Sequence, residues 1–134
     1  LRPRLVAELL RWTASGRPEA IPGVPTPGRS LELGPQARWF RRDGAPAVDL
    51  SRRRALRLIL LRLGLERREA PGQGLELEVL QEAGWPGQRL PYEAGRARVY
   101  TAVRSLRRFG LEGLLVTRDD GYLLDPDSPL TWLD

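Results

Sequence analysis

The chain has 134 residues, 22 basic and 17 acidic, which gives a formal net charge of +5 and a length suited to one domain with a modest core. It contains neither cysteine nor histidine, which excludes disulfide frameworks, zinc fingers and nucleophiles activated by histidine. Because its carboxylates are scattered and form no suggestive pair, we do not expect an enzyme, and we predict no cofactor and no metal site.

No apolar run approaches the ~20 residues that a membrane span requires. The longest apolar cluster, at 56–65, is interrupted by Arg57, Arg62 and Gly64, and the opening segment is too charged for a signal peptide. We therefore expect a soluble, cytoplasmic protein. The chain has no methionine, not even at its start, and we interpret it as a fragment of a longer multidomain polypeptide.

Leu5, Leu9 and Trp12 recur at helical spacing and predict a leading helix over 1–13, either the tail of an upstream domain or an appendage that packs back. Residues 14–29 contain four prolines interleaved with glycines, which predicts a semi-rigid linker. A domain is then expected over 30–126, followed by a C-terminal tail over 127–134.

The first part of this domain reads as a β-sheet followed by a helix. Short strand-like pieces lie at 30–33, 38–42 and 47–50, with Asp43-Gly44 as a hairpin turn between the last two. Ser51 is a good N-cap residue, so a first helix is predicted from there to about Glu69. Its apolar stripe is Leu56, Ile59, Leu60 and Leu63.

A second helix is predicted over 75–83, with Leu77 and Leu80 inward, and a third from about Tyr92 to Phe109. The strand pair 114–117 and 122–124 then encloses a hairpin turn with Asp-Gly at its end. The fold class that this order indicates is α+β: an N-terminal antiparallel sheet, three helices and a C-terminal β-hairpin.

The third helix has two unlike faces. At 100° per residue, Val99, Val103 and Leu106 fall on one side. The opposite side carries arginines and small hydroxyl residues and no acid: Arg98, Thr101, Ser105 and Arg108, with Arg104 at its edge. Guanidinium groups can bind guanine edges and phosphates, and small neighbours let a helix lie deep in a major groove. A solvated arginine-rich face is the alternative.

The segment from 99 to 123 resembles the end of the OmpR/PhoB-type winged helix. That motif is an aliphatic residue, three variable positions, a second aliphatic residue, two variable positions and Leu-Arg, followed by Gly-Tyr in the wing. Here the matching residues are Val99, Val103, Leu106-Arg107 and Gly121-Tyr122, and Trp85 stands where the family commonly closes its second helix with tryptophan. The resemblance covers about residues 30–126 and implies a winged helix-turn-helix.

The resemblance also implies a function, which is DNA binding within a bacterial transcriptional regulator. The third helix would enter the major groove of double-stranded DNA while the hairpin wing lies alongside. The family's DNA-facing positions correspond here to Arg98, Thr101, Ala102, Arg104, Ser105 and Arg108, and the basic wing position to Arg118. Arg107 falls near the buried stripe, so we expect it to be structural or to bind phosphate.

A second interpretation is a winged helix that serves protein–protein contact in a signalling or defence protein. Ser105 stands where the family often has a base-reading arginine, and Asp119-Asp120 place two negative charges at the wing tip. The partners considered are RNA polymerase, an upstream domain of the same protein and a second copy of the chain. The role of the cluster Arg52-Arg53-Arg54 is left open: it could contact a phosphate or a partner protein, or it could be a solvated cluster without a role.

Overall fold

The computed structural model describes residues 28–133, so the predicted leading helix and residues 14–27 of the predicted linker lie outside the described part of the chain. This part is a mixed α+β structure with three helices and two small sheets, as the sequence predicts at that level. Its elements are β1 (Leu31–Leu33), β2 (Trp39–Arg42), β3 (Val48–Asp49), α1 (Arg54–Glu69), β4 (Leu75–Glu76), α2 (Leu77–Gly84), α3 (Tyr92–Leu106), β5 (Leu115–Arg118), β6 (Gly121–Leu124) and β7 (Leu130–Trp132).

The first sheet has four strands in the order β3-β2-β1-β7. β1 and β2 are antiparallel, with Leu33 opposite Phe40, whereas β7 lies parallel to β1, with Leu31 opposite Leu130. The predicted N-terminal strands are therefore present. β7 is not predicted, because residues 127–134 read as a tail. The structure instead places Leu130–Trp132 at the edge of this sheet, beside a strand almost one hundred residues earlier.

The second sheet has three strands in the order β4-β6-β5. Leu75 pairs with Tyr122, so the first two residues of the predicted second helix are a strand, and that helix begins at Leu77. The predicted hairpin is present, but its two-residue turn is Asp119-Asp120, because Arg118 pairs with Gly121. Asp119 takes the left-handed conformation, with φ of 54°, that such a turn requires.

The predicted N-cap at Ser51 is wrong, because α1 begins at Arg54. Ser51 instead closes a turn before the helix, where its backbone N–H and its hydroxyl both donate to Asp49 Oδ1, at 2.9 and 2.7 Å. These two hydrogen bonds lower the pKa of the Asp49 carboxyl. Serine satisfies local backbone groups equally well in turns and at helix starts, which is why its position alone did not fix the first helical residue.

One hydrophobic core joins the three helices to both sheets. α1 contributes Ile59, Leu60 and Leu63, and α3 contributes the predicted stripe; all of these residues are at most 2% exposed. Phe40 is buried in the core from β2, whereas its neighbour Trp39 is only half-buried. The other fully buried large side chains are Leu33, Leu50, Leu80, Leu111, Leu114 and Leu115.

Two arginines tie the N-terminal sheet to the turn that follows α3. Arg42 Nη1 donates to the carbonyl of Glu112 at 2.6 Å, and its Nε donates to that of Gly28 at 2.9 Å. Arg29 Nη2 donates to the carbonyl of Gly113 at 2.9 Å and to Asp125 Oδ2 at 2.6 Å. The sheet is therefore fixed relative to the helix that carries the predicted site.

Among residues 28–133, no helix combines the length and the apolar character that crossing a membrane would need.

Gly121 is required where β4 and β6 meet, because a Cβ there would collide with the backbone carbonyl of Leu75. We expect Gly121→Ala to lower the free energy of unfolding by about 1–3 kcal/mol, since a backbone group cannot turn aside as a side chain can. Chemical denaturation measures this loss. Gly74→Ala is the control, since its Cβ would lie 3.5 Å from the carbonyl oxygen of Arg118, an ordinary contact. Equal losses in the two variants would contradict this account.

The Asp125 carboxylate predicts a dependence of stability on pH. Its pKa is lowered from 3.8 by the backbone N–H of Asp127, and further by Arg29 and the Ser128 hydroxyl, against an opposing effect of burial. Because the folded state binds this proton less tightly than the unfolded state, the stabilisation is complete well above pH 3.8 and is lost as the pH falls through the lower folded value.

We therefore expect Asp125→Asn to lower the thermal midpoint near neutral pH and the gap to the wild type to close in acid. The Arg29 side chain is 52% exposed, so the effect is about 1 kcal/mol or less. Thermal unfolding across the acid range checks this, with the exposed Asp127 replaced by Asn as the control. A gap that is constant with pH would show that charge is not what stabilises this contact.

Candidate nucleic-acid interface

The rotation of α3 about its axis is set by its buried side. Val99, Val103 and Leu106 are at most 2% exposed and pack in the core, and Ala102 is 4% exposed beside them. Residues on the opposite side must then face outward. The sequence-predicted positions Arg98, Thr101, Arg104 and Arg108 are exposed, and Ser105 is half-buried at the edge of the same face. The structure thus brings these five side chains together on one surface. The predicted third helix is shorter than expected, because α3 ends at Leu106, and Arg108 lies in the π-helical turn Arg107–Leu111 that continues it.

Arg98 lies at the end of this surface near the loop between α2 and α3. Its Nη1 donates to Gln88 Oε1 at 3.4 Å, and its guanidinium carbon lies 5.7 Å from the ring centroid of Trp85. Trp85 directly follows α2, as predicted. The two contacts hold the guanidinium beside the loop and leave much of its hydrogen-bonding edge exposed.

Arg104 and Arg108 lie at the other end of the surface, where α3 approaches the β5–β6 hairpin. Both border an open hollow of about 630 Å³ whose wall also includes Tyr100, Tyr122 and Glu112. Within residues 28–133, neither guanidinium makes a hydrogen bond or an ion pair. Arg108 lies over the edge of the core, with its guanidinium carbon 5.5 Å from the Phe109 ring centroid. These two cations are therefore presented to solvent rather than used within the fold.

Arg107 differs from its neighbours, because it points toward the hairpin. Its Nε donates to the carbonyl of Leu115 at 2.9 Å, and its Nη2 donates to Thr117 Oγ1 at 3.1 Å. The guanidinium carbon also lies 5.6 Å from the ring centroid of Tyr122, a phenol whose pKa is raised by burial. The half-buried Arg107 therefore fastens the hairpin to the end of α3, which is the structural role considered for it in the sequence.

Arg118 lies at the end of β5, next to the hairpin turn. Its Nη1 donates to the carbonyl of Gly72 at 3.1 Å, in the loop that follows α1. Asp119 and Asp120 are exposed beside it, and Glu76 is opposite Gly121 in the sheet register. Arg118 is thus partly engaged by the fold, and its neighbours in the turn, Asp119 and Asp120, carry negative charge.

The sequence left two features near this surface unassigned. Tyr92, Arg96 and Tyr100 form a ladder along α3, in which Arg96 donates to the two phenol oxygens at 3.1 and 2.6 Å. The spacing of four residues is the signal that could have revealed it. Arg53 and Arg54, which the sequence left open between a phosphate or partner contact and a solvated cluster, face α3 across a cleft. That proximity depends on the packing of α1, which no local pattern contains.

No protein-family model matches the chain, and comparisons with curated proteins and with solved structures give no significant match either. The likeness to the OmpR/PhoB-type domain consequently consists of the motif residues and of the element order. Any functional conclusion must come from the charges and contacts of this surface.

The contacts of Arg107 predict that it acts on stability. We expect Arg107→Ala to lower the free energy of unfolding by about 1–3 kcal/mol, because the carbonyl of Leu115 loses a charged donor. That loss is equivalent to a fall of roughly 4–8 °C in the thermal midpoint per kcal/mol for a domain of this size. Arg104→Ala, which removes the same charge from an exposed position, should leave the midpoint nearly unchanged. Equal midpoints for the two variants would refute the fastening role.

Proposed function

We propose that this chain is the DNA-binding module of a bacterial transcriptional regulator and that its domain is a winged helix. In this proposal α3 enters the major groove of double-stranded DNA, and the β5–β6 hairpin is the wing that lies alongside. The module would belong to a longer protein and would act in the cytoplasm, where two copies can occupy repeated half-sites.

The outward face of α3 is the observation on which this proposal rests. Its arginines lie on a rigid helix whose opposite side is fixed in the core, with small hydroxyl side chains between them and no carboxylate on the face itself. Arginine forms paired hydrogen bonds with the O6 and N7 atoms of guanine and with phosphate oxygens. Threonine and serine leave space for the helix to approach base edges closely.

The position of the hairpin supports the same function. It follows α3 directly, pairs with β4 and is fastened to the helix through Arg107. A hairpin so placed can lie beside the groove that α3 occupies. Two of the motif residues, Arg107 and Tyr122, take part in this fastening. The aspartates of the turn would be repelled by phosphate, so the affinity in this proposal comes mainly from α3 rather than from the wing tip.

The proposal predicts that the chain binds duplex DNA with a strong dependence on salt. We expect Arg104→Ala combined with Arg108→Ala to weaken binding roughly a hundredfold or more and to reduce the log–log salt slope by about two, because each arginine held by a phosphate releases about one counterion. Fluorescence anisotropy of a labelled duplex across a series of salt concentrations measures both quantities.

The matched control is Arg41→Ala combined with Arg68→Ala. These arginines have side chains 50% and 53% exposed, lie away from α3 and carry the same total charge. If both double variants lose affinity equally, binding depends on net charge alone and the assigned face is wrong. If the wild-type chain does not bind the duplex at low salt, the proposed function itself is wrong.

A second candidate function is protein–protein contact, and the acidic end of the hairpin favours it. Asp119 and Asp120 are exposed beside Glu76 and would suit a basic surface, such as one on RNA polymerase or on an upstream domain. This candidate predicts no salt-dependent duplex binding. It also predicts that Asp119→Asn combined with Asp120→Asn weakens capture of the partner, whereas in the DNA-binding proposal the same change strengthens duplex binding.

A further inference from the structure

An open cleft separates the N-terminal end of α1 from α3. Its volume is about 540 Å³, and its floor consists of small or apolar side chains, among them Leu56 and Ala102. Arg53, which directly precedes α1, and Arg54, its first residue, line it on one side, and Arg98 lines it from α3. Thr101 and Ser105, which are part of the outward face of α3, also line the cleft. The cleft is thus continuous with the surface already proposed to contact DNA.

The three arginines of this cleft have no acidic partner within the described part of the chain. No carboxylate is among the described residues that line it, and none of the ion pairs within residues 28–133 includes these arginines. Two of them are held in place by aromatic rings. Arg53 lies 4.8 Å from the centroid of Phe109, and Arg98 lies over Trp85. Like charges held near one another repel, and an anion between them relieves that repulsion.

The position of the cleft indicates which anion it receives. The hairpin lies along one flank of α3, where Tyr100, Arg104 and Arg107 face it, and the cleft lies along the other flank. A helix in the major groove, which is about 12 Å wide, has a sugar–phosphate strand on each side. On the hairpin flank the hollow that Arg104, Arg107 and Arg108 border also contains the Glu112 carboxylate, and the hairpin turn is acidic. On the cleft flank there are three guanidinium groups, whose planar forks match phosphate oxygens.

We infer that the cleft between α1 and α3 binds the phosphate backbone of duplex DNA through Arg53, Arg54 and Arg98. This inference rests on the proposed function and extends it, because it assigns the principal backbone contact to the start of α1 instead of to the wing. The apolar floor receives the sugar edges of the strand, and the Thr101 and Ser105 hydroxyls donate to its oxygens. An acidic peptide has similar charge and is the alternative occupant that the experiment must distinguish.

The test uses the 134-residue chain, a fluorescein-labelled duplex of random sequence and anisotropy titrations over a series of potassium chloride concentrations. We expect Arg53→Ala combined with Arg54→Ala to weaken binding about ten- to a hundredfold and to reduce the salt slope by about one to two. Arg68→Ala is the control. It changes the same helix about 22 Å farther along, at a rise of 1.5 Å per residue, and should leave affinity and slope nearly unchanged.

A second variant, Arg53→Lys combined with Arg54→Lys, distinguishes charge from packing, because Arg53 also covers Phe109. Lysine binds phosphate as a point charge, so the slope should return to near the wild-type value. If the lysine variant is as weak as the alanine variant, the arginines act by packing and the inference is overturned.

The outcomes also separate this inference from the proposed function. If the wild type binds the duplex and the Arg53→Ala, Arg54→Ala variant binds it equally well with the same slope, only the inference fails. The same variant is also titrated with a labelled polyglutamate peptide. If the wild type binds this peptide and the Arg53→Ala, Arg54→Ala variant does not, while both bind the duplex equally, the cleft is a protein-docking site and the inference is overturned. If the wild type fails to bind the duplex, the proposed function fails and the inference with it.

Discussion

The packing of α3 against α1 and the sheets determines what this domain can present to a partner. Val99, Val103 and Leu106 cannot leave the core without exposing their whole apolar surface, so the helix cannot rotate about its own axis. The outward direction of Arg98, Thr101 and Arg104 is therefore a consequence of burial on the other side. A helix backbone held this way needs little ordering on binding, which lowers the entropy cost of contact with a rigid partner such as a duplex.

Charge is distributed unequally around this helix. The end of the hairpin carries Asp119 and Asp120 beside Glu76, and the start of α1 carries Arg53 and Arg54. Such polarity gives the domain a preferred orientation in the field of a polyanion before any specific contact forms. It also opposes binding in the reversed orientation, because the carboxylates would then face phosphates. In the DNA-binding proposal, the acidic turn would therefore help to orient the domain on the duplex.

The sequence predicted those parts of the fold that depend on local patterns and missed those that depend on distant pairing. The apolar stripes of α1 and α3 follow from helical periodicity, and the β5–β6 hairpin follows from its turn residues. The two faces of α3, and with them the candidate site, were predicted from the same periodicity. β4 has two residues and β7 has three, too few for alternation to be visible, and each forms only against a strand far along the chain. The role of Arg107 and the proximity of Arg53 to α3 likewise depend on tertiary packing, so sequence reasoning could at most leave them open.

The pairing of β7 with β1 has a mechanical consequence. The two strands are parallel, and backbone hydrogen bonds join them near both ends, from Leu31 N to the carbonyl of Pro129 at 2.9 Å and from Leu133 N to that of Leu33 at 2.8 Å. Tension applied between residues 28 and 133 pulls one strand backward and the other forward along their common direction. The bonds of the ladder then share the load in shear and must break together rather than one after another. We therefore expect the pairing of β1 with β7 to resist tension applied between these two ends of the domain.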